Sequence, residues 1–271
     1  MKICIAGKND IAVDSASYLL YNLGISKEDL LILPNDDDPG VDNWQRSLKH
    51  WALINDVEIV ELDNLYEIEN LFFLSLEYNR IIIPSKFRSN NLFNSHFSLL
   101  PKYKGAFTSV YPILNGDSIS GVTFHEIDAG IDTGDIIAQI KFEIDINDTS
   151  RDMYLKYIAY GSKLFRECIQ SVLERKYTKI TQKHIGSTFY SRKSINFNDI
   201  KIDFKKTSFE IHNNVRAFVF KEYQLPKVNG IKIKKSVLTN EKIRPNFFEE
   251  SETDFIISGI DGFKVVLYKN S

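Results

Sequence analysis

Cysteine is almost missing from this chain: Cys4 and Cys168 are the two in 271 residues. Neither has a second ligand at a metal-binding spacing, and two thiols build no disulfide framework, so neither a metal centre nor a stapled secreted fold is expected. Long apolar runs are also lacking. None approaches the roughly 20 residues that a membrane-spanning helix needs, and the opening MKICIAG lacks the layout of a signal peptide. The expectation is a reduced, cytoplasmic protein with no membrane partner. No charge of one sign dominates. The 34 Lys and Arg against 36 Asp and Glu leave a net charge of −2, which speaks against a nucleic-acid partner. Internal repeats and low-complexity tracts are absent. What is present is apolar and aromatic material, rich in Phe and Tyr, enough for a sizeable core.

The apolar residues alternate between strand-like and helix-like spacing. Residues 2–6 read as a buried strand ending at Gly7, and 11–23 as a helix closed by Gly24. Strands follow at 30–33, 57–60 and 71–74, with a further one at 80–83 that takes in Ile83 as a core residue. Helices are expected at 43–54 and 64–71. Such alternation predicts an α/β, Rossmann-like fold, a mostly parallel sheet with helices on both faces. Strands at 119–127 and 135–144 flank a glycine-bearing loop, and 149–174 is the longest helical pattern, with Thr149 or Ser150 as its cap. Beyond Lys176 the composition turns basic and polar. A boundary is expected there, giving a catalytic domain over 1–185 and a small C-terminal β-rich subdomain over 186–271. That subdomain should hold a helix at 208–217 and β segments at 231–238, 254–258 and 263–268.

Two stretches carry chemistry. In Asn94-Ser95-His96, residues two apart on a strand share a face, so a carboxamide and an imidazole point the same way. The amide can stabilise an oxyanion and the imidazole can move a proton near neutral pH. The loop Asp128 to Gly134 presents carboxylates that could reach a histidine and orient it. Taken singly, His96 would read as a satisfied structural residue, Asn94 as a backbone partner and Asp132 as a turn residue. Their joint spacing overturns that. The pattern Asn94-x-His96-x-Ser98-x-Leu100-Pro101-x-Tyr103-x-Gly105, followed by Asp128-x-Gly130-x-Asp132-x-Gly134-x-Ile136, resembles the 10-formyltetrahydrofolate-dependent formyltransferases, over about residues 1–145.

The resemblance implies an enzyme whose catalytic trio is Asn94, His96 and Asp132, with a protonated His96 and the Asn94 amide on the oxyanion and Asp132 relaying a proton. His125 falls on a family position and reads equally as support or as structure. The resemblance also implies that 10-formyltetrahydrofolate is the cosubstrate. Arg80, Ile81 and Ile82 would hold its pterin, closed on the other side by the backbone of Asp128 and Gly130. Lys8 and Asn9, after the first strand, suit a phosphate, although a solvated loop is an even alternative. The tail segment Val215 to Pro226 is similar to that of nucleotide-sugar N-formyltransferases. There Arg216 would meet a diphosphate, and Tyr223 and Gln224 would face the nucleotide. Asp42 to Leu48, with Trp44 and Gln45, is similar to a stretch in the same enzymes and has no assigned role. The implied acceptor is a dTDP-linked 3-amino- or 4-amino-dideoxyhexose, a precursor of lipopolysaccharide or O-antigen, and a homodimer is expected. Methionyl-tRNA formylation, formyl hydrolysis and non-catalytic sugar-nucleotide binding are the competing readings. Initiator tRNA binding, formate release without an amine and loss of the trio, respectively, distinguish them.

Overall fold

A computed structural model describes residues 1–270. They form two compact units. The first comprises Met1–Lys104, Gly121–Lys141 and Tyr157–Phe189; the second comprises Gly105–Ser120, Phe142–Lys156 and the chain from Tyr190 onward. The expected single break at 185/186 compares with a division at 189/190. The second unit also draws in two earlier segments, because residues remote in the chain pack together there.

The first unit is built on a seven-stranded sheet. Its strands are β1 (Lys2–Gly7), β2 (Leu30–Pro34), β3 (Glu58–Ile59), β4 (Leu71–Leu76) and β5 (Asn91–His96), then, past the two-residue β6 (Lys104–Gly105), β7 (Ile119–Glu126) and β8 (Ile136–Glu143). The order is β3-β2-β1-β4-β5-β7-β8. Strands β1 to β5 pair in parallel, while β7 runs antiparallel to β5. Both faces of the sheet are buried. Cys4, Ala6, Leu33, Phe73 and Leu92 point into one layer, and their strand neighbours Ile3, Ile5, Ile32, Phe72 and Phe93 into the other. Burial on both sides explains why these strands read as continuous apolar runs.

Helix α1 (Asn9–Ser17) continues into a π-helical turn at Tyr18–Asn22 and ends at Gly24, whose φ of +67° suits a helix end. Helix α2 spans Leu48–Ile54, shorter than the expected 43–54. Ser47 accepts a hydrogen bond from the His50 amide and thereby starts the helix late. The expected helix at 64–71 is a single 3-10 turn, Leu62–Leu65, leading into β4. The expected strand at 80–83 is irregular backbone, and Ile83 is half exposed rather than in the core. Helix α4 (Ser150–Leu173) contributes to both units. In the first unit its Tyr157 stacks on Phe97 with centroids 5.2 Å apart, and Phe165 meets Phe124 edge-on.

In the second unit, α3 (Tyr111–Leu114) precedes the start of α4. After β9 (Phe189–Tyr190) comes α5 (Ser208–Arg216), capped by a reciprocal Thr207–Glu210 pair. A sheet follows, of β10 (Lys227–Val228), β11 (Ile231–Lys242), β12 (Phe248–Glu250), β13 (Asp254–Ser258) and β14 (Phe263–Lys269), ordered β10-β11-β14-β13-β12. Ile211 and Val215 of α5 lie on Ile233, Phe255, Val265 and Leu267. Among the described residues, no helix is long and apolar enough to cross a membrane, and no group of three acidic, His or Cys side chains could hold a metal.

Candidate active site

Parallel α/β sheets bind ligands outside the carboxyl ends of their strands, near the point where strand order reverses. Here the order reverses between β1 and β4, and β5 is the next strand out. The carboxyl half of β5 carries Asn94 and His96 on one face. Across the antiparallel ladder Asn94 faces His125 of β7, and His96 faces Thr123. The β7–β8 loop then brings Asp132 to the same place.

The loop folds on itself. Asp128 accepts hydrogen bonds from the Gly130 amide and the Thr133 hydroxyl, an Asx-type turn. Two glycines permit close approaches. A Cβ on Gly130 would sit 2.0 Å from Thr133 Oγ1, and one on Gly134 would sit 1.9 Å from the Glu126 carbonyl oxygen. Asp132 adopts a left-handed φ of +55°.

The four polar side chains make one network. Asp132 Oδ2 lies 3.5 Å from His96 Nδ1, and Oδ1 lies 3.6 Å from His125 Nε2. Asn94 Nδ2 donates to Asp132 Oδ1 at 3.3 Å and contacts His125 Nε2 at 3.1 Å. Backbone carbonyls fix the tautomers. His96 Nε2 is 2.8 Å from the Tyr103 oxygen, and His125 Nδ1 is 2.7 Å from the Glu126 oxygen. A carbonyl only accepts, so each of those nitrogens bears a proton. That leaves His125 Nε2 to accept from the Asn94 amide, while His96 Nδ1 faces Asp132. The site is largely dry, with the Asp132 side chain 12% exposed and that of His125 2%. Burial pushes the pKa of His96 below its ordinary 6.5, and Asp132 and the Tyr103 carbonyl oppose this only in part. Neutral imidazole is therefore the resting form, where the sequence pattern implied a protonated one.

A carboxamide, a neutral imidazole and a carboxylate around one point is an arrangement suited to acyl transfer. The family model described as formyl transferase matches residues 64–169. The crystal structure of WlaRD, described as a sugar 3N-formyl transferase in the presence of dTDP and 5-N-formyl-THF, is 54% identical with a TM-score of 0.97, covering 99% of this chain and 97% of that one. An N-formyltransferase from Helicobacter canadensis, in complex with folinic acid and dTDP-3-aminofucose, is also 54% identical, with a TM-score of 0.97 and 100% of both chains covered. The chain belongs to the formyltransferase family. A methionyl-tRNA formyltransferase from Fervidobacterium nodosum is 30% identical over 200 residues, which span 70% of this chain and 63% of that protein. A 4-N formyltransferase from Francisella tularensis, 20% identical with a TM-score of 0.63, shares the fold over 82% of this chain and 90% of that one.

Other residues singled out by sequence sit differently in this formyltransferase. Ile81 is 72% exposed while Ile82 is buried. The backbone groups of Arg80, Ile81 and Ile82 make no hydrogen bond among the described residues. The Arg80 side chain turns away to an ion pair with Asp36, so only its backbone is available. Lys8 pairs with Asp37 at 3.3 Å. Asn9, at a left-handed φ of +63°, donates to Glu77 at 3.3 Å, and Gln45 takes the Asp10 amide at the start of α1. The Lys8 and Asn9 side chains thus meet carboxylates, and the amide at the helix start is taken by the Gln45 carboxamide. This also gives buried Gln45 a structural role.

In the second unit, Arg216 is 3% exposed, and its guanidinium donates to Asn213 and to the carbonyls of Asp145 and Asp148. Its cationic head is used inside the fold rather than offered to a diphosphate. Gln224 closes a tight turn with Phe220 through two backbone bonds, and Tyr223 on that turn is 62% exposed. Sequence reasoning missed Gln182 and Thr188, which lie in the basic, polar stretch beyond Lys176, and gave Tyr103 a place in the motif but no role. Tyr103 acts through its carbonyl, which has no signature in side-chain chemistry.

Proposed function

We propose that this formyltransferase moves the formyl group of 10-formyltetrahydrofolate to the C3 amine of a dTDP-linked amino-dideoxyhexose, making a precursor of surface polysaccharide. The observation that carries this reading is 54% identity, over essentially whole chains, to two enzymes crystallised with a formyl-folate, one described as 3N-specific and the other bound to dTDP-3-aminofucose. The first unit would act as the catalytic part, and the enzyme would work as a cytoplasmic homodimer. Net charge of −2 favours this reading over tRNA formylation, which needs a basic surface for phosphates.

The residues fit the cosubstrate. The unpaired backbone of 80–82, beside exposed Ile81, offers donors, acceptors and an apolar surface to a flat heterocycle. When bound, the folate supplies an activated formyl carbon: a C–N bond to the acceptor forms, the C–N bond to folate breaks, and one proton passes from the first nitrogen to the second. His96 Nδ1 takes the proton that the attacking nitrogen sheds and returns it to the departing one. Asp132 stabilises the imidazolium in between, and the Tyr103 carbonyl holds the other N–H. Asn94 provides the amide hydrogen for the formyl oxygen by exchanging its long 3.3 Å bond to Asp132. Exposed Tyr223 of the second unit is a candidate surface for stacking a nucleobase.

Incubation of the protein with 10-formyltetrahydrofolate and a panel of dTDP-3-amino, dTDP-4-amino and UDP-amino sugars, read by mass spectrometry, tests this. A formylated dTDP-3-amino sugar is expected. Formate without amide, or formylation of initiator methionyl-tRNA alone, contradicts the proposal.

A further inference from the structure

We infer that residues 177–188, in the basic and polar stretch beyond Lys176, form a strap that positions both catalytic groups, with Gln182 and Thr188 as positioning residues. This rests on the formyl-transfer reading above.

Asp132 sits at φ +55°, a left-handed conformation that Asp tolerates better than most residues and that its surroundings select. Gln182 is placed to hold it there. Its Nε2 donates to the carbonyls on either side of Thr133, Asp132 O at 2.9 Å and Gly134 O at 2.7 Å. Both partners are pure acceptors, so the amide cannot be turned round. Among the described residues its Oε1 has no partner, so both donors of the amide, and nothing else of it, serve the loop.

The same segment holds the histidine. Tyr103 is the other left-handed residue of the site, at φ +59°, and its carbonyl sets the His96 tautomer. Thr188 Oγ1 accepts the Tyr103 amide at 2.7 Å, and the Thr188 carbonyl accepts the next amide at 2.9 Å. Between these grips the strap is itself fastened. Ile180 exchanges two backbone bonds of 2.8 Å with Ile136, and Lys179 bridges Glu126 and Asp135, on both sides of the Asp132 loop. One chain segment thus sets the spacing between carboxylate and imidazole through the backbone of the residues that carry or hold them.

The test uses the full-length enzyme and three variants: Gln182→Met, which keeps volume but cannot donate; Thr188→Val, which loses the acceptor; and Thr188→Ser, which restores it. With wild-type turnover established, Gln182→Met and Thr188→Val should each lower kcat about tenfold or more, leave both KM values within about twofold, and keep the melting temperature within a few degrees. Thr188→Ser should recover most of the kcat. Wild-type kcat in both disabling variants overturns the inference, as does a Thr188→Ser enzyme no better than Thr188→Val. Should Gln182→Met fail to fold, the Thr188 pair decides. A wild-type enzyme that transfers no formyl group would instead refute the functional reading, an outcome separable from the others.

Discussion

At the scale of single residues, the site depends on one spacing: a part-buried carboxylate 3.5 Å from a buried imidazole whose far nitrogen is anchored on a backbone carbonyl. Asp132→Asn keeps the shape and removes the charge. It should lower kcat by roughly 100-fold or more, as loss of a positioned acid–base partner does, with KM for either substrate little changed; steady-state kinetics checks this. The His96 imidazole should titrate below its ordinary 6.5, because burial opposes its charge. NMR of the ring should show this, and should show a still lower value in Asp132→Asn, since the carboxylate acts to raise it. The types and spacing of Asn94, His96 and Asp132 made them readable in the sequence. The polar residues that are already paired were not. A sequence gives the charge of Arg80 or Arg216 but not the Asp36 carboxylate, or the carbonyls of 145 and 148, that take up that charge in the fold.

At the scale of elements, apolar period fixed the long segments and failed at short ones. Strand β4 and helix α4 fall where their patterns put them, because each buries a continuous run or a regular stripe. The stretch 80–83 has the composition of a strand but no neighbour pairs with it, so Ile81 and Ile83 lie at the surface. Helix α4 starts on a reciprocal cap, in which Thr149 Oγ1 accepts the Asp152 amide and Asp152 Oδ2 accepts the Thr149 amide. Thr149→Ala should reduce stability by about 1 kcal/mol in denaturant titration. Gly134→Ala should be far more harmful. Its methyl group would meet the Glu126 carbonyl, and the loop that carries Asp132 would have to open, lowering kcat and stability together.

At the scale of the whole molecule, acid should unfold the second unit through His212. This histidine is fully buried, hydrogen-bonded to Ser236 and to the Ile146 carbonyl, and its pKa is pushed down to about 4, chiefly by burial. A pKa lower in the folded state means that the unfolded chain binds the proton more tightly. The associated stability is present above pH 6.5 and is lost as pH falls from there toward 4, on the order of 3 kcal/mol in all. Thermal melts of His212→Gln should show a shallower decline across that window, and an equally steep decline would remove His212 as the cause. Apolar periods and motif spacings are local properties of a chain, so the α/β class and the resemblance to formyltransferases, with the transfer chemistry that resemblance implies, were legible before any fold was known. Folding added that His96 rests neutral, that Lys8 and Arg216 are already paired, and that a strap from 177 to 188 sets the site's dimensions. Each of those follows from desolvation and from contacts between residues remote in sequence, which no local pattern encodes.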